Sequence, residues 1–111
     1  MVKNKIKVKI KPRSLLARLA ARKLKVERVA IVFGRTIHLH NVSVEQFIAD
    51  KHWLLHELKH VDQYEKLGLT AFILTYLKES FQKGYHLNKL EIEAREAEKD
   101  LYLLEKYEMM W

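Results

Sequence analysis

The spacing of the apolar residues changes from a mainly strand-like period to a helical one near residue 44, and that change limits the folds this chain can adopt. Residues 5–10 alternate lysine with Ile, Val and Ile, which is the period-two pattern of a strand with one buried face. Residues 26–33 and 36–40, joined at Gly34, predict a β-hairpin. From residue 44 onward the apolar residues recur at helical spacing. Strands first and helices afterwards predict an α+β fold with a small N-terminal mixed sheet.

Capping residues divide the chain further. Ser14 is suited to cap a short helix that ends at Leu24. A second helix begins near residue 44, is interrupted near Asp50 and stops at Gly68. With 111 residues and no linker, the chain predicts a single domain. Its predicted parts are a sheet region with one helix over residues 1–42, the central helical region over 43–67, an apolar helix over 70–83, a further helix over 88–108 and a tail over 107–111.

The segment LLHELKHVDQ, residues 54–63, contains the motif HExxH within a helical pattern. His56 and His60 lie one turn apart on one face, so both imidazoles can reach one metal ion, and neutral histidine nitrogens suit zinc. Glu57 is rotated by about 100° from His56 and can act as a base on a water molecule beside the metal. The alternative interpretation is a helix whose histidines are polar surface residues.

Cysteine is absent from the chain, so any metal must be held by His, Glu or Asp. His38 and His40 share one face of a predicted strand, but without a third partner they are interpreted as strand-face residues. His52 extends the histidine row by one turn and is interpreted as structural or exposed. The composition is rich in Lys and Glu, which favours a thermophilic source.

Positive charge is concentrated near the N-terminus. Residues 1–28 carry eleven Lys or Arg against Glu27 alone, a net charge of +10, whereas the remainder of the chain is at −3. Such an arm can bind nucleic acid or an anionic membrane, or it can be a solvated strand and helix, and the last interpretation is preferred. No signal peptide and no membrane-spanning run are visible, which predicts a cytoplasmic protein without a membrane span.

The stretch YHLNKLEIEAR, residues 85–95, resembles the glutamate helix of the gluzincin metallopeptidases. In that clan a ligand Glu is followed three residues later by Ala and four residues later by Asp. Together with HELKHVDQY, the short length and the order of the elements, this stretch makes the chain most similar to the minigluzincins. The resemblance implies zinc as the cofactor, Glu57 as the catalytic base, and His56, His60 and Glu91 as the metal ligands.

Two features of the glutamate helix depart from a simple match. On residue pattern alone, a helical wheel slightly favours Glu93 over Glu91 as the third ligand, so both remain open there. Arg95 stands where the clan has the Asp that usually supports the first histidine, so that support is absent. Glu96 and Glu98 are interpreted as a solvated helix face.

The resemblance implies a zinc-dependent endopeptidase whose substrate, a peptide or unfolded protein, pairs with the edge strand of the sheet. The predicted edge strand is Thr36, Ile37, His38, Leu39 and His40. Two alternatives remain: a zinc-stabilised peptide-binding protein without turnover, and a basic nucleic-acid-binding module. Possible oxyanion or substrate-orienting residues, each with packing as the alternative, are Tyr76, Tyr85 and His86.

Apolar residues also predict contacts with a second copy of the chain. Part of the set Phe72, Leu74, Tyr76 and Phe81 is expected to support a homodimer, with burial inside one chain as the alternative. The tail over residues 107–111 ends in Met, Met and Trp and is expected to occupy an active-site cleft, most readily that of a neighbouring chain. The protein would then be a latent peptidase, or else these residues cover core at the helix end.

Overall fold

A mixed four-stranded sheet and six helices build the computed structural model, which describes residues 5–111. The α+β prediction is confirmed. Residues 1–4 of the predicted sheet region, including Lys3 of the basic arm, lie outside the described residues. The elements are β1 (Ile6–Lys11), α1 (Leu15–Leu24), β2 (Val29–Phe33), β3 (Thr36–His40), α2 (Val44–Ala49), α3 (Lys51–Leu67), α4 (Leu69–Lys83), α5 (Lys89–Glu96), a 3-10 turn (Ala97–Lys99), α6 (Leu103–Lys106) and β4 (Tyr107–Met110).

The strand order of the sheet is β2-β3-β1-β4. The predicted hairpin is present, since β2 and β3 pair antiparallel from Val29 opposite His40 to Phe33 opposite Thr36. The first strand runs parallel to both of its neighbours, β3 and β4. Parallel neighbours need a crossover connection, which α1 provides between β1 and the hairpin. The two strands at the edges of the sheet are therefore β2 and β4.

Local caps explain where the central helices begin and end. Ser43 and Gln46 form a reciprocal capping box at the start of α2. Asp50 ends that helix and its side chain caps α3 by accepting from the Trp53 amide at 3.2 Å. Gly68, with a positive φ of 85°, separates α3 from α4. The predicted interruption near Asp50 and the predicted stop at Gly68 are both confirmed.

Helix α3 lies at the centre of the molecule, between the sheet and the helices that follow it. Leu54, Leu58 and Val61 are fully buried against the inward-facing residues of the sheet, among them Ile10 and Ile37. Helix α1 covers the opposite face of the sheet, where the Ser14 hydroxyl meets Nδ1 of His38 at 2.7 Å. Within residues 5–111, no helix combines the length and apolar character that crossing a bilayer requires.

The last part of the chain differs from the single helix predicted over residues 88–108. Helix α5 stops at Glu96, the 3-10 turn follows, and Asp100 leaves the helical conformation with ψ at 88°. This break returns the chain to the sheet, where the wholly buried Tyr107 begins β4. A continuous helix would have carried the tail away from the sheet, so the burial of Tyr107 explains the break.

Candidate metal centre

Two facing helices bring three potential metal ligands together. Helix α3 presents His56 and His60, whose ring centroids lie 5.2 Å apart, and α5 presents the buried Glu91 opposite them. Oε1 of Glu91 lies 3.0 Å from Nε2 of His56 and 3.3 Å from Nε2 of His60. All three donor atoms lie within 4.8 Å of one another, the only such group of three found in residues 5–111.

The donor set fits a zinc ion. Tetrahedral ligands about 2.0–2.1 Å from zinc lie roughly 3.3 Å from each other, close to the separations between Glu91 and the two histidines. Two imidazole nitrogens and one carboxylate form a protein ligand set that leaves the fourth position for water or substrate. Glu93, the other sequence candidate, is not among the three converging residues, and its carboxylate accepts from the Gln63 amide nitrogen at 3.0 Å.

The outer nitrogen of each histidine has its own acceptor. Nδ1 of His60 lies 2.8 Å from Oε1 of Gln63, whose amide nitrogen also donates to the Leu90 carbonyl at 3.0 Å. Nδ1 of His56 lies 2.8 Å from Oε2 of Glu98. An acceptor at Nδ1 keeps the proton there and leaves Nε2 free to bind a metal. Both histidines are therefore oriented for coordination through Nε2.

Glu91 is held in place from α4 and by the cap of its own helix. The Tyr76 hydroxyl donates to Oε2 of Glu91, which leaves Oε1 directed at the histidines. Asn88, fully buried, caps α5 by accepting from the Leu90 amide, and its side-chain amide donates to the Tyr76 carbonyl at 3.0 Å. The Tyr76 hydroxyl contacts Glu91 and the Tyr76 carbonyl contacts Asn88, and these two contacts join the start of α5 to α4. The position of Glu91 therefore depends on both helices.

Charges in the cluster shift the pKa of each member. Burial raises the pKa of Glu57 to about 7, although His60 and His56 oppose the shift. Burial alone would lower the pKa of His56, but its hydrogen bonds to Glu91 and Glu98 and the charge of Glu57 raise it to about 9. Burial acts to raise the pKa of Glu91, but its hydrogen bonds with His56, His60 and Tyr76 and the charge of His60 hold that pKa far below its usual range. Metal binding must therefore release protons from the histidines.

A cavity of about 350 Å³ opens beside His56 and Glu57. Glu57 is 7% exposed, so its carboxylate is shielded from bulk water and is accessible mainly from this cavity. Tyr85 lines this cavity and is more than half exposed. His86 is not among the lining residues, and its backbone carbonyl accepts a hydrogen bond from Arg95. The cavity is lined by Asp50, His52, Trp53, His56, Glu57, Tyr85 and Glu98.

The predicted edge strand is wrong. Thr36 to His40 form β3, which pairs with β2 on one side and with β1 on the other, so its backbone is already used within the chain. The edge strand next to α3 is β2, where the Val32 carbonyl accepts from the Tyr64 hydroxyl at 3.2 Å. The parallel pairing of β1 beside β3 closes the edge that the hairpin alone would have left open.

Two expectations about apolar contacts also change. Phe72 is buried and stacks on Tyr64 with ring centroids 3.7 Å apart, and Tyr76 is half-buried and contacts Glu91. The exposed members of the set named for a homodimer are Leu74 and Phe81. The tail does not project from a helix end, because Tyr107–Met110 pair with β1 as strand β4. In this arrangement the tail does not occupy the cleft of its own chain.

Sequence reasoning missed the two residues that orient the histidines. Glu98 does not lie on a purely solvated face, because it contacts His56. Its spacing from Glu91 was the available signal, since seven residues are two helical turns and place both carboxylates on nearly the same face. Gln63 follows His60 by three residues, which is the spacing of neighbours on one helix face.

The arrangement combines three potential metal ligands, an adjacent buried carboxylate and a cavity lined by His56 and Glu57. Such a site can activate water against a bound carbonyl group. Comparison of the chain with protein-family models, curated proteins and solved structures found no match.

Proposed function

We propose that this chain is a zinc-dependent endopeptidase of the minigluzincin type. The observation that carries the proposal is the convergence of Nε2 of His56, Nε2 of His60 and Oε1 of Glu91 beside the buried carboxylate of Glu57. A structural zinc site has four protein ligands, whereas this cluster supplies three and opens to a cavity. The proposal also explains why a central helix with many large apolar residues has histidines on its polar face.

Each residue of the site has a distinct role in the proposed reaction. A zinc ion bound to His56, His60 and Glu91 would supply Lewis-acid chemistry, polarising the substrate carbonyl and lowering the pKa of water. Glu57 accepts the proton of the attacking water and returns it to the leaving amine. Burial raises the pKa of Glu57, which makes its carboxylate a stronger base than an exposed one.

The edge of β2 is the proposed binding site for an extended substrate. This strand runs beside α3, with the Arg28 guanidinium 5.6 Å from the centre of the Trp53 ring at one end. At the other end the Val32 carbonyl already accepts from the Tyr64 hydroxyl, so a peptide would pair with the part of β2 before Val32. A peptide added to this edge would form main-chain hydrogen bonds with β2 while its chain passes the active-site helix. Main-chain pairing favours peptides and unfolded proteins over folded substrates.

Zinc titration of metal-stripped protein tests the ligand assignment. The wild type is expected to bind one zinc per chain, and His60→Ala and Glu91→Ala to lose tight binding because each removes a first-sphere ligand. Glu93→Ala is the matched control: it removes a carboxylate two residues from Glu91 whose contact is to Gln63, so its zinc affinity should fall by no more than about tenfold.

Two results would contradict the assignment. Equal zinc affinity in the wild type and His60→Ala would remove the HExxH histidines from the site. A larger loss in Glu93→Ala than in Glu91→Ala would transfer the third ligand to Glu93, in agreement with the helical wheel. Circular dichroism of each metal-free variant establishes that a lost affinity does not reflect a lost fold.

A further inference from the structure

The carboxylate of Glu98, seven residues after Glu91, contacts the outer nitrogen of His56. It lies on the 3-10 turn after α5, with its Oε2 2.8 Å from Nδ1 of His56. The position four residues after Glu91 is occupied by Arg95, whose guanidinium donates to the His86 carbonyl instead. Helix α5 thus provides an acceptor for Nε2 of His56 but none for Nδ1, which meets Glu98 on the turn beyond the helix.

We propose that Glu98 is the positioning residue of the metal centre, which holds the Nδ1 proton of His56 and directs Nε2 towards the metal. This inference rests on the proposed zinc site. Glu98 is not a ligand, because its oxygen meets the nitrogen that faces away from Glu91. A carboxylate at this position also makes the imidazole a better donor, since it stabilises the positive charge that the ring gains on binding a cation.

The two histidines are supported in different ways. Gln63 follows His60 by three residues on the same helix, so α3 alone brings the two side chains together, while Leu90 and Glu93 of α5 accept from the Gln63 amide nitrogen. Glu98 is 42 residues away from His56 in the chain, so its contact forms only when the C-terminal segment is docked on α3. The acceptor for Nδ1 of His56 is therefore brought in by tertiary structure, whereas the acceptor for Nδ1 of His60 comes from the same helix.

The segment that carries Glu98 is attached to α3 at both ends. Ala97, beside Glu98, is buried at 6% exposure. At the other end, the buried Asp62 of α3 accepts from Lys106 at 2.6 Å and from the Tyr107 hydroxyl at 3.4 Å. Two anchors on one helix limit the movement of the residues between them, which keeps the carboxylate of Glu98 within reach of His56.

Zinc affinity of Glu98 variants, measured by competition with a chromogenic chelator, tests the proposal. Glu98→Ala should bind zinc about 10–100-fold more weakly than the wild type, the range typical of a lost outer-sphere partner. Glu98→Gln should recover part of this loss, because the amide oxygen still accepts from Nδ1 but lacks the charge. Glu96→Ala is the control, since Glu96 is an exposed carboxylate two residues away on the same segment.

A second readout reports the orientation directly. In zinc-loaded protein labelled with nitrogen-15 in histidine, the Nδ1 proton of His56 should give a slowly exchanging signal that Glu98→Ala loses and Glu96→Ala keeps. Unchanged affinity and an unchanged signal in Glu98→Ala would overturn the proposal while leaving the zinc site intact. Wild-type protein that binds no zinc would overturn both this proposal and the proposed function.

Discussion

Glu57 differs from an exposed carboxylate in its position beside the two histidines and in its burial. It follows His56 directly in the chain, so helical rotation places it beside the ligand face and not on it. It is also almost wholly buried, and burial raises its pKa to about 7 because the charged form loses hydration. A carboxylate in water would have a pKa well below neutral and would be a weaker base towards the attacking water.

Replacement of this carboxylate should separate metal binding from catalysis. We expect Glu57→Gln to retain one zinc per chain and the fold, and to lose at least about 100-fold in peptidase rate, because the amide cannot accept the proton of water. Rates are measured on unstructured peptides, and Glu96→Gln is a control for the loss of one exposed carboxylate. Equal turnover in Glu57→Gln and wild type would remove Glu57 from the mechanism.

Wild-type protein that holds zinc and binds peptides but does not cleave them would favour the other interpretation of the same ligands. The protein would then be a zinc-stabilised peptide-binding protein. The Glu57→Gln variant would bind the same peptides with unchanged affinity, because the base contributes to turnover and not to main-chain pairing.

The elements after α5 serve to complete the sheet and to secure the metal-site helix. Strand β4 extends the sheet beyond β1, and its first residue, Tyr107, is 1% exposed. Asp62 of α3 anchors this segment. Burial acts to raise the pKa of Asp62, but its hydrogen bonds from Lys106, Lys66 and Lys59 lower it to about 2, so the carboxylate stays charged through most of the acid range. The C-terminal strand is therefore part of the folded core.

Deletion of Tyr107 to Trp111 should destabilise the protein and should not activate it. The change removes β4 and the buried Tyr107, and loss of one large buried aromatic side chain alone costs about 3–5 kcal/mol. Thermal unfolding of the metal-free protein measures the effect. Deletion of Trp111 alone is the control, because its side chain is 69% exposed and lies beyond the strand.

The result that would reverse this interpretation is a gain of peptidase activity. If the longer deletion leaves the melting temperature unchanged and increases turnover, the tail occupies a cleft in solution and the pairing with β1 is not its main role. A loss of stability with no gain in turnover supports the strand.

At the scale of the whole molecule, helix α4 exposes an apolar surface. The outward side of α4, opposite the residues that face the metal site, exposes Leu74, Leu77 and Phe81, and Phe81 is 92% exposed. Phe72 and Tyr76, on the other side of the same helix, face the interior. Exposed aromatic and leucine side chains clustered on one helix favour contact with another protein surface.

We expect this surface to form a homodimer at high concentration. Sedimentation velocity of the wild type should show a dimer, and Phe81→Lys should shift it to the monomer because a charge at the centre of an apolar contact is left without hydration. Leu101→Lys is the control, since Leu101 is 64% exposed outside α4. A wild-type monomer at all concentrations, or equal dissociation in both variants, would count against this interface.

Local patterns were sufficient for the helix that carries the proposed site. The ligand spacing from His56 to His60 depends only on the pitch of one helix, and the caps at Ser43, Asp50 and Gly68 act through residues next to them in the chain. The alternation over residues 5–10 likewise predicted β1, because a strand with one buried face shows its period in any context. These features follow from the sequence alone.

Three features depend on contacts between segments that are distant in the chain, so only the tertiary structure determined them. The sequence of Thr36 to His40 is compatible with an edge strand, and it became internal only because β1 pairs beside it. Tyr107 to Met110 continue an apparently helical pattern, and they became β4 because burial of Tyr107 outweighs local helical preference. Glu98 reaches His56 for the same reason, since a contact across 42 residues is set by the packing of the whole C-terminal segment on α3.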